Sequence, residues 1–515
     1  MKVCSLYGDG FYYIPGTQTC IKIGGFLRTE VDFHAGGSFT PFFATNGLQT
    51  RANDAATTRA RGVATFDVRE QTPYGTLRAY IAGGWQYTTN DSPTLSLAGA
   101  AVGSAGGAAS PSNTPNSNTY LLRAFIQWGG FTFGKTASFY DFFNTSKYSH
   151  QTNFLYQDYA GVGVFTYGYT AQLGSGFAAN IALQDPTHFA HPVLDVSNTT
   201  AVGAGPAVVQ TFTTDNPFQI GGGGPTNSGF TNAGFVVPDI VASLRTDQAW
   251  GGAQIAAILH DNRASAYLNG GTVAAPINGV VDTLAHPNDR WGFAVSGGLE
   301  LNLQPLGFSK GDTFAVQSQY CVGDSESCVN NSGARVADLF WARRRGNSIG
   351  LAWVDDAYFA NNIAGGVQTG LQLPTAWNIY AAIQHYWIPE LRTSLYGGYL
   401  QYQANSSAVD ASLCAPLHSG RTLNTGGGAN LIGSSAVSAS GCADWATWAI
   451  GSRTIWNPVR NLDIGVDVLY SALTKSALSG ATLRFTPTQS ATEILTAGSS
   501  SIVAGIVRVQ YNFYP

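Results

Sequence analysis

Seven cationic side chains are spaced so that one surface would collect them: Lys22, Arg28, Arg59, Arg61, Arg78, Arg123 and Arg508. The segments that carry them alternate polar and apolar residues at period two. Arg59, Arg61, Thr65, Asp67 and Arg69 share one face of a strand whose other face is Ala60, Gly62, Ala64, Phe66 and Val68. Arg78, Tyr80 and Gln86 oppose Leu77, Ala79, Ile81 and Trp85. Arg123, Phe125 and Gln127 oppose Tyr120, Leu122, Ala124, Ile126 and Trp128. Arg508, Gln510 and Asn512 oppose Val503, Val507, Val509, Tyr511 and Phe513. Period two places each set on one side of a pleated strand. The chemistry of such a basic face is electrostatic: set against acids, it creates a transverse field that orients dipolar solutes. The stretch from Ser138 to Gly161 supplies two carboxylates, Asp141 and Asp158, with Tyr140, Tyr148, Tyr156 and Tyr159 as hydrogen-bonding walls. The cations outnumber those acids. Glu30, Asp32 and Asp67 lie on the cationic face itself, so the competing assignment is a set of ion-pair ladders that merely stiffen the wall.

Covalent chemistry finds no support. The eight histidines are scattered. His385 sits in an aromatic strand, as an interfacial residue rather than a base. No nucleophile elbow, HExxH, phosphate loop or zinc spacing is present. The expectation is no catalytic residues, no metal and no cofactor. The six cysteines fall in close couples, Cys4 with Cys20, Cys321 with Cys328 and Cys414 with Cys442. An even count in nearby couples reads as three local disulfides in an oxidising compartment, each contributing roughly 2–4 kcal/mol. Metal binding is the alternative, without a CxxC to support it.

Composition says what must position these residues. Charged residues are 11% of the 515-residue chain, against about 25% in an ordinary soluble domain. Aromatics are 12% and glycines number 62. A soluble protein this poor in charge would struggle to cover its surface. No run of eighteen apolar residues is present, and the mean hydropathy is +0.00. Membrane helices are thereby excluded, and a closed β-barrel is the remaining way to satisfy the backbone in lipid. The net charge of −4, without charge blocks, excludes nucleic acid as a partner. The opening MKVCSLYG has neither an n-region nor an apolar h-region, so secretion is inferred from the barrel pattern and the cysteines.

The connections alternate between short and long, as periplasmic turns and extracellular loops must. Short ones lie at Gln71–Tyr74, Gly129–Gly130, Gln172–Ser175, Asp247–Gln248, Gln304–Gly311, Ile388–Glu390 and Asn457–Asn461. Parity then decides the count. Asn347 to Val354 reads as a strand, but a crossing there would put the tight Trp-Ile-Pro-Glu turn on the loop side. Val322 to Leu373 is therefore assigned to one external loop, with the next strand near Thr375. The expectation is an all-β, transmembrane antiparallel barrel, a single domain over 1–515, with sixteen strands, seven turns and eight loops; eighteen strands is the alternative. Sixteen leaves water inside. Trp85, Tyr87, Trp128, Trp291, Trp387, Trp445, Trp456 and Tyr511 are expected to face outward in two interfacial girdles.

Several segments resemble the alphaproteobacterial general porins, a family of trimeric sixteen-stranded outer-membrane barrels. The run VCSLYGDGFYYIPGTQTCIKIGGFLR, Val3 to Arg28, is similar to that family's opening. HYWIPELRTSLYGGY, His385 to Tyr399, is similar to its strand–turn–strand near the C-terminus. GKTASFYDFF, Gly134 to Phe143, resembles the place where the third loop leaves the wall. VRVQYNFYP resembles the aromatic-ended last strand, although Pro515 here follows Phe513 and Tyr514. The resemblance implies a homotrimer and a third loop, residues 137–162, folded inward as a constriction, with 1–18 a periplasmic segment. It implies a passive diffusion channel for small hydrophilic solutes in a Gram-negative outer membrane, bordered by lipid and lipopolysaccharide. The rival readings are a substrate-specific channel, in which Tyr80 and Phe125 would form a stacking track, and a structural or adhesion barrel. Small or aliphatic outward residues on the same strands (Ile21, Ile23, Gly25, Ala60, Gly62, Ala64, Ala79, Gly83, Gly505) suggest where subunits meet. Arg343, Arg344 and Arg345 fall in an outer loop, as lipid-phosphate or subunit contacts or simply a solvated cluster.

Overall fold

The structure, a computed structural model, describes residues 4–33, 56–89, 116–143, 145–150, 163–188, 190–196, 199–202, 209–212, 233–264, 286–329, 338–345, 347–362, 367–424, 429–485 and 493–513. Its alternating segments form one sheet that closes on itself. In chain order the wall strands are β1 (Thr19–Phe33), β2 (Ala56–Thr72), β3 (Gly75–Thr88), β4 (Asn116–Trp128), β5 (Phe131–Thr136) and β6 (Val164–Gly174). There follow β7 (Phe177–Gln184), β8 (Asp239–Gln248), β9 (Gly251–Asn262), β10 (Arg290–Asn302) and β11 (Thr313–Val322). The last five are β12 (Thr375–Ile388), β13 (Leu391–Gln403), β14 (Trp445–Trp456), β15 (Leu462–Lys475) and β16 (Ser500–Phe513). Each pairs antiparallel with its sequence neighbours, and β16 returns to β1, from Gly25 opposite Phe513 to Phe33 opposite Gly505. Among the described residues every wall strand has a partner on both sides, so the sheet ends in no edge strand.

The strand count, the seven short turns and the eight long connections are those read from the sequence. β11 ends at Val322 and β12 starts at Thr375; Ser348–Val354 is a strand, but not of the wall. It belongs to a second sheet built from loop segments at the far end, which joins 199–202, 209–212, 422–424, 429–432, 482–485, 493–497, 348–354 and 338–345. The apolar face of that sheet (Ile349, Leu351, Trp353, Leu431, Leu483, Leu495) is buried with Leu413, Leu417 and Trp445. A hairpin, Asp338–Arg345 with Ser348–Val354, starts between β11 and β12 and reaches across to the first residue of β16. There Trp341 Nε1 donates to Ser500 Oγ at 2.7 Å. The side chains of Arg343, Arg344 and Arg345 lie outside the described residues. Two disulfides, Cys321–Cys328 and Cys414–Cys442, staple this loop layer, and Cys4–Cys20 ties the N-terminal segment to β1 at the turn end.

The outward face carries the expected aromatics: Trp85, Tyr87, Trp128, Trp291, Trp387, Trp456 and Tyr511 are all exposed. Two residues differ from the sequence reading. Trp445 is fully buried beneath the loop layer, stacked on Tyr402 at 5.6 Å and donating to the Trp353 carbonyl at 2.7 Å. Plain parity places it there: β13 and β14 pair without a slip from Tyr402–Trp445 to Leu391–Trp456, so Trp445 shares the inward face of Arg453. Tyr120 also points inward, because the β3–β4 register slips between Ala82 and Gly83 and flips the parity of β4 beyond Arg123. His385 does not stand alone at the interface: its Nδ1 lies 2.7 Å from the Asp312 carboxylate in the β10–β11 turn.

The β16–β1 closure leaves no room at Gly25. Its φ is +150°, and a Cβ there would meet the Val63 carbonyl oxygen at 2.0 Å and the Phe513 ring at 2.7 Å. Gly25→Val should cost roughly 2–3 kcal/mol, read as a lower midpoint for loss of the compact band in heat-modifiability gels. Adding Phe513→Ala should not restore the midpoint, since the clash with backbone remains.

Candidate functional site: the lumen and its inward loop

Strand parity decides what faces the lumen, and the cations expected there are there. Arg28 on β1, Arg59 and Arg61 on β2, Arg78 on β3, Arg123 on β4 and Arg508 on β16 stand on five consecutive wall strands. The structure divides them into groups with different surroundings. Glu30 accepts from Arg59 Nε at 2.5 Å and from Arg508 Nε at 2.8 Å, and all three side chains are nearly sealed from solvent. Arg28 donates to Gln510 at 2.7 Å, and Arg61 donates to Gln86 at 2.7 Å while lying 5.0 Å from the centre of the Tyr120 ring. Nearer the turn end, Arg78 forks onto Asp67 at 3.0 and 2.9 Å. Arg69, which sequence reasoning placed on this face without singling it out, forks onto the same carboxylate at 3.0 and 2.8 Å. Lys22 reaches the N-terminal segment, donating to the Asp9 carbonyl at 3.0 Å, and Arg123 turns back onto the Leu122 carbonyl at 2.9 Å. The ion-pair ladder expected as the alternative is thus real for Arg59, Arg508 and Arg78. Arg28 and Arg61 are held by amides.

The chain leaving β5 runs inward. Gln254 on β9 donates its amide to the Tyr140 and Asp141 carbonyls at 3.0 and 3.2 Å, and Arg245 on β8 donates to the Phe142 carbonyl. Phe142 lies over Gly298 of β10, where any Cβ would touch it at 2.4 Å. Tyr148 donates to Glu300 at 2.8 Å, beside a Lys147–Glu300 ion pair at 2.6 Å. Arg453 on β14 binds the Ser146 and Lys147 carbonyls. Asp467 on β15 accepts from Ser149 Oγ and the His150 backbone N–H, with Tyr396 donating to the same carboxylate at 2.5 Å. The loop is therefore fastened along the inner wall from β8 to β15. At the end of its described part His150 Nδ1 accepts from Arg508 at 2.9 Å.

Asp141 comes to rest against β9, eight strands from β1 and so across the barrel from the arginines. Tyr140 and Tyr148 are fully buried between loop and wall, and burial pushes both hydroxyls above the ordinary tyrosine range. Asp158, Tyr156 and Tyr159 lie outside the described residues. Sequence reasoning missed the wall groups that hold the loop: Arg245, Gln254, Glu300, Arg453 and Asp467. Their signal was an inward polar residue on strands that otherwise present small or apolar ones.

His150 makes this fastening sensitive to acid. Burial, and then the charges of Arg508, Arg453, Arg28 and Arg392, hold its ring well below the usual histidine range. The neutral ring is the form that accepts from Arg508. Because the folded value lies below that of the free side chain, its contribution is complete above pH ~6.5 and is lost as pH falls below that, by up to about 1.4 kcal/mol per unit. Hydrogen-exchange protection of the Ser146–His150 amides, corrected for intrinsic rates, should fall up to about tenfold per unit below pH ~6.5. In His150→Asn the same protection should be flat across that range.

Comparison with known proteins places this geometry. Porin Omp2a of Brucella ovis is 30% identical over 187 residues, which is 36% of this chain and 49% of that protein. Porin Omp2b of Brucella suis biovar 1 is 28% identical over 187 residues, 36% of this chain and 44% of that one. The chain thus spans about half the length of the curated relatives it matches. Its fold is shared with the outer membrane channel DcaP of Acinetobacter baumannii, at a TM-score of 0.51 and 12% identity over 97% of this chain and 99% of that one. A family model described as "Porin subfamily" matches residues 1–505. With that match lying over a closed sixteen-stranded wall, the chain belongs to the porin subfamily and is a β-barrel protein of the Gram-negative outer membrane.

Proposed function

We propose that this porin is a passive diffusion channel for small hydrophilic solutes and ions, not an enzyme. The observation that carries the reading is the division of the lumen. The third loop is fastened along β8 to β15, while the wall from β16 to β4 carries a guanidinium arc. Solute passing between the two would feel a transverse field, strongest where charges face each other across little water. In this reading residues 137–162 are the constriction loop. Arg28, Arg61 and Arg78 are the basic side of the eyelet, and Asp141 belongs to its acidic side. Arg59 and Arg508, sealed against Glu30, set the field and hold the wall rather than touch solute. Family membership supports a channel over a hydrolase.

The assembled form is a homotrimer in this proposal, with lipid around it and lipopolysaccharide in the outer leaflet. Ala60, Gly62 and Ala64 on β2 and Gly505 on β16 offer close approach on the outer face, with Leu27 of β1, Phe66 of β2 and Trp85 of β3 exposed beside them to bury. Ala64→Cys should crosslink between subunits; labelling of that site by lipid-phase probes without any crosslink would remove the interface.

The channel reading is tested by planar-bilayer recording. The expected result is a large KCl conductance that closes in steps of three. Arg61→Gln and Arg78→Gln should each move the reversal potential under a salt gradient toward cations. A folded, heat-modifiable barrel without conductance would leave an adhesion or structural role instead.

A further inference from the structure

The N-terminal segment, stapled by Cys4–Cys20 and lying inside the turn end, brings aromatic rings against Arg69, which shares Asp67 with the eyelet residue Arg78. Arg69 lies 4.8 Å from the centre of the Phe11 ring and 5.8 Å from that of Tyr7. Directly across the β2–β3 pair, Arg78 lies 5.1 Å from Tyr80 and 5.3 Å from Phe125, two rings that stack on each other at 5.2 Å. Both guanidinium groups share the single Asp67 carboxylate, and Arg78 also donates to Gln127 at 3.0 Å. Two cations on one acid leave a surplus positive charge. Lys22, opposite Asp67 on β1, adds a further cation, against which the exposed Asp9 is the nearby acid. The pair is open to the lumen: the side chains of Arg69 and Arg78 are 26% and 27% exposed, against 7% and 9% for Arg59 and Arg508.

We propose that this patch is a recognition subsite for planar aromatic carboxylates, an inference that rests on the channel reading and names a solute class for it. The surplus charge supplies the partner for a carboxylate, and the Tyr80–Phe125 pair supplies a flat apolar surface for the ring attached to it. Stacked and forked guanidinium groups lose little freedom on binding, so the site is preorganised. A saturated acid of equal charge and similar size meets the same charge but cannot lie flat on the rings. Aromatic stacking is worth about 0.5–1.5 kcal/mol, or roughly threefold to tenfold in affinity. The site sits where solute would cross the turn end, with Tyr7 and Phe11 forming its outer side.

The test uses the full chain, folded in detergent and in planar bilayers, with benzoate, cyclohexanecarboxylate and benzylammonium as probes. Benzoate should reduce KCl current saturably, at a concentration roughly threefold to tenfold lower than cyclohexanecarboxylate, and benzylammonium should be without effect. Tyr80→Leu with Phe125→Leu should abolish the difference between the two acids. Phe11→Leu should weaken it. Equal inhibition by both acids, or a difference that survives the double substitution, overturns the subsite. Calorimetric titration of benzoate into the detergent-folded protein keeps the two readings apart. If no KCl current flows, the channel reading fails alone. A benzoate affinity that falls roughly threefold to tenfold in the double variant, to that of cyclohexanecarboxylate, then upholds the subsite, and an unchanged affinity overturns it.

Discussion

Everything in this molecule depends on the requirement that a backbone in hydrocarbon pair all its own amide groups. The β16–β1 pairing meets it, and the pleat then assigns each side chain to lipid or water with no intermediate choice. Apolar residues such as Ile81 and Val507 face out, and Arg78 and Arg508 therefore face in. The charged lumen is thus not assembled residue by residue. It is the other half of the pattern that lipid demands. Where the pattern slips by one residue, as beside Arg123, a side chain changes compartment outright, and Tyr120 becomes the ring beneath Arg61.

Within that frame the inner surface is organised by shared carboxylates. Glu30 joins β1 to β2 and β16 through two arginines, and Asp67 gathers Arg69 and Arg78. Asp467 instead fastens the loop, accepting from Ser149, His150 and Tyr396. A sealed charge pair left without one partner is strongly penalised, which makes Glu30 structural even though it lies in the lumen. Arg69 and Arg78, more open to water than Arg59 and Arg508, are the two that share one carboxylate and stand beside aromatic rings.

The wall was legible in the sequence because period two is a strong local signal and parity corrects local ambiguity. The strand at Ser348–Val354 shows this well: its residues read as a crossing, and only the side on which the Ile388–Leu391 turn must fall removes it from the wall. The three disulfides were legible from proximity along the chain. The slip beside Gly83 was not, since a one-residue slip carries no composition of its own, and Tyr120 was assigned outward for that reason. Trp445 was assigned outward as an aromatic near a strand end, although its parity with Arg453 puts it inward. The anchors of the inward loop were also hidden. Gln254, Arg453 and Asp467 meet residues 140–150 only through the closed barrel, more than a hundred residues away in sequence.

The hairpin that crosses the loop end has a bearing on the order in which the protein is made. Trp341 meets Ser500 across 159 residues of chain, at the first residue of the final wall strand. Contacts so distant in sequence form late, because the intervening loop must first be closed by other means. The β16–β1 closure spans still more chain, 478 residues between Glu30 and Arg508. Ser500 opens the strand that makes it, so the crossing hairpin gains its far contact only when the final wall strand is in place. Closure of the cylinder and closure of its outer mouth are thereby tied to the same last strand.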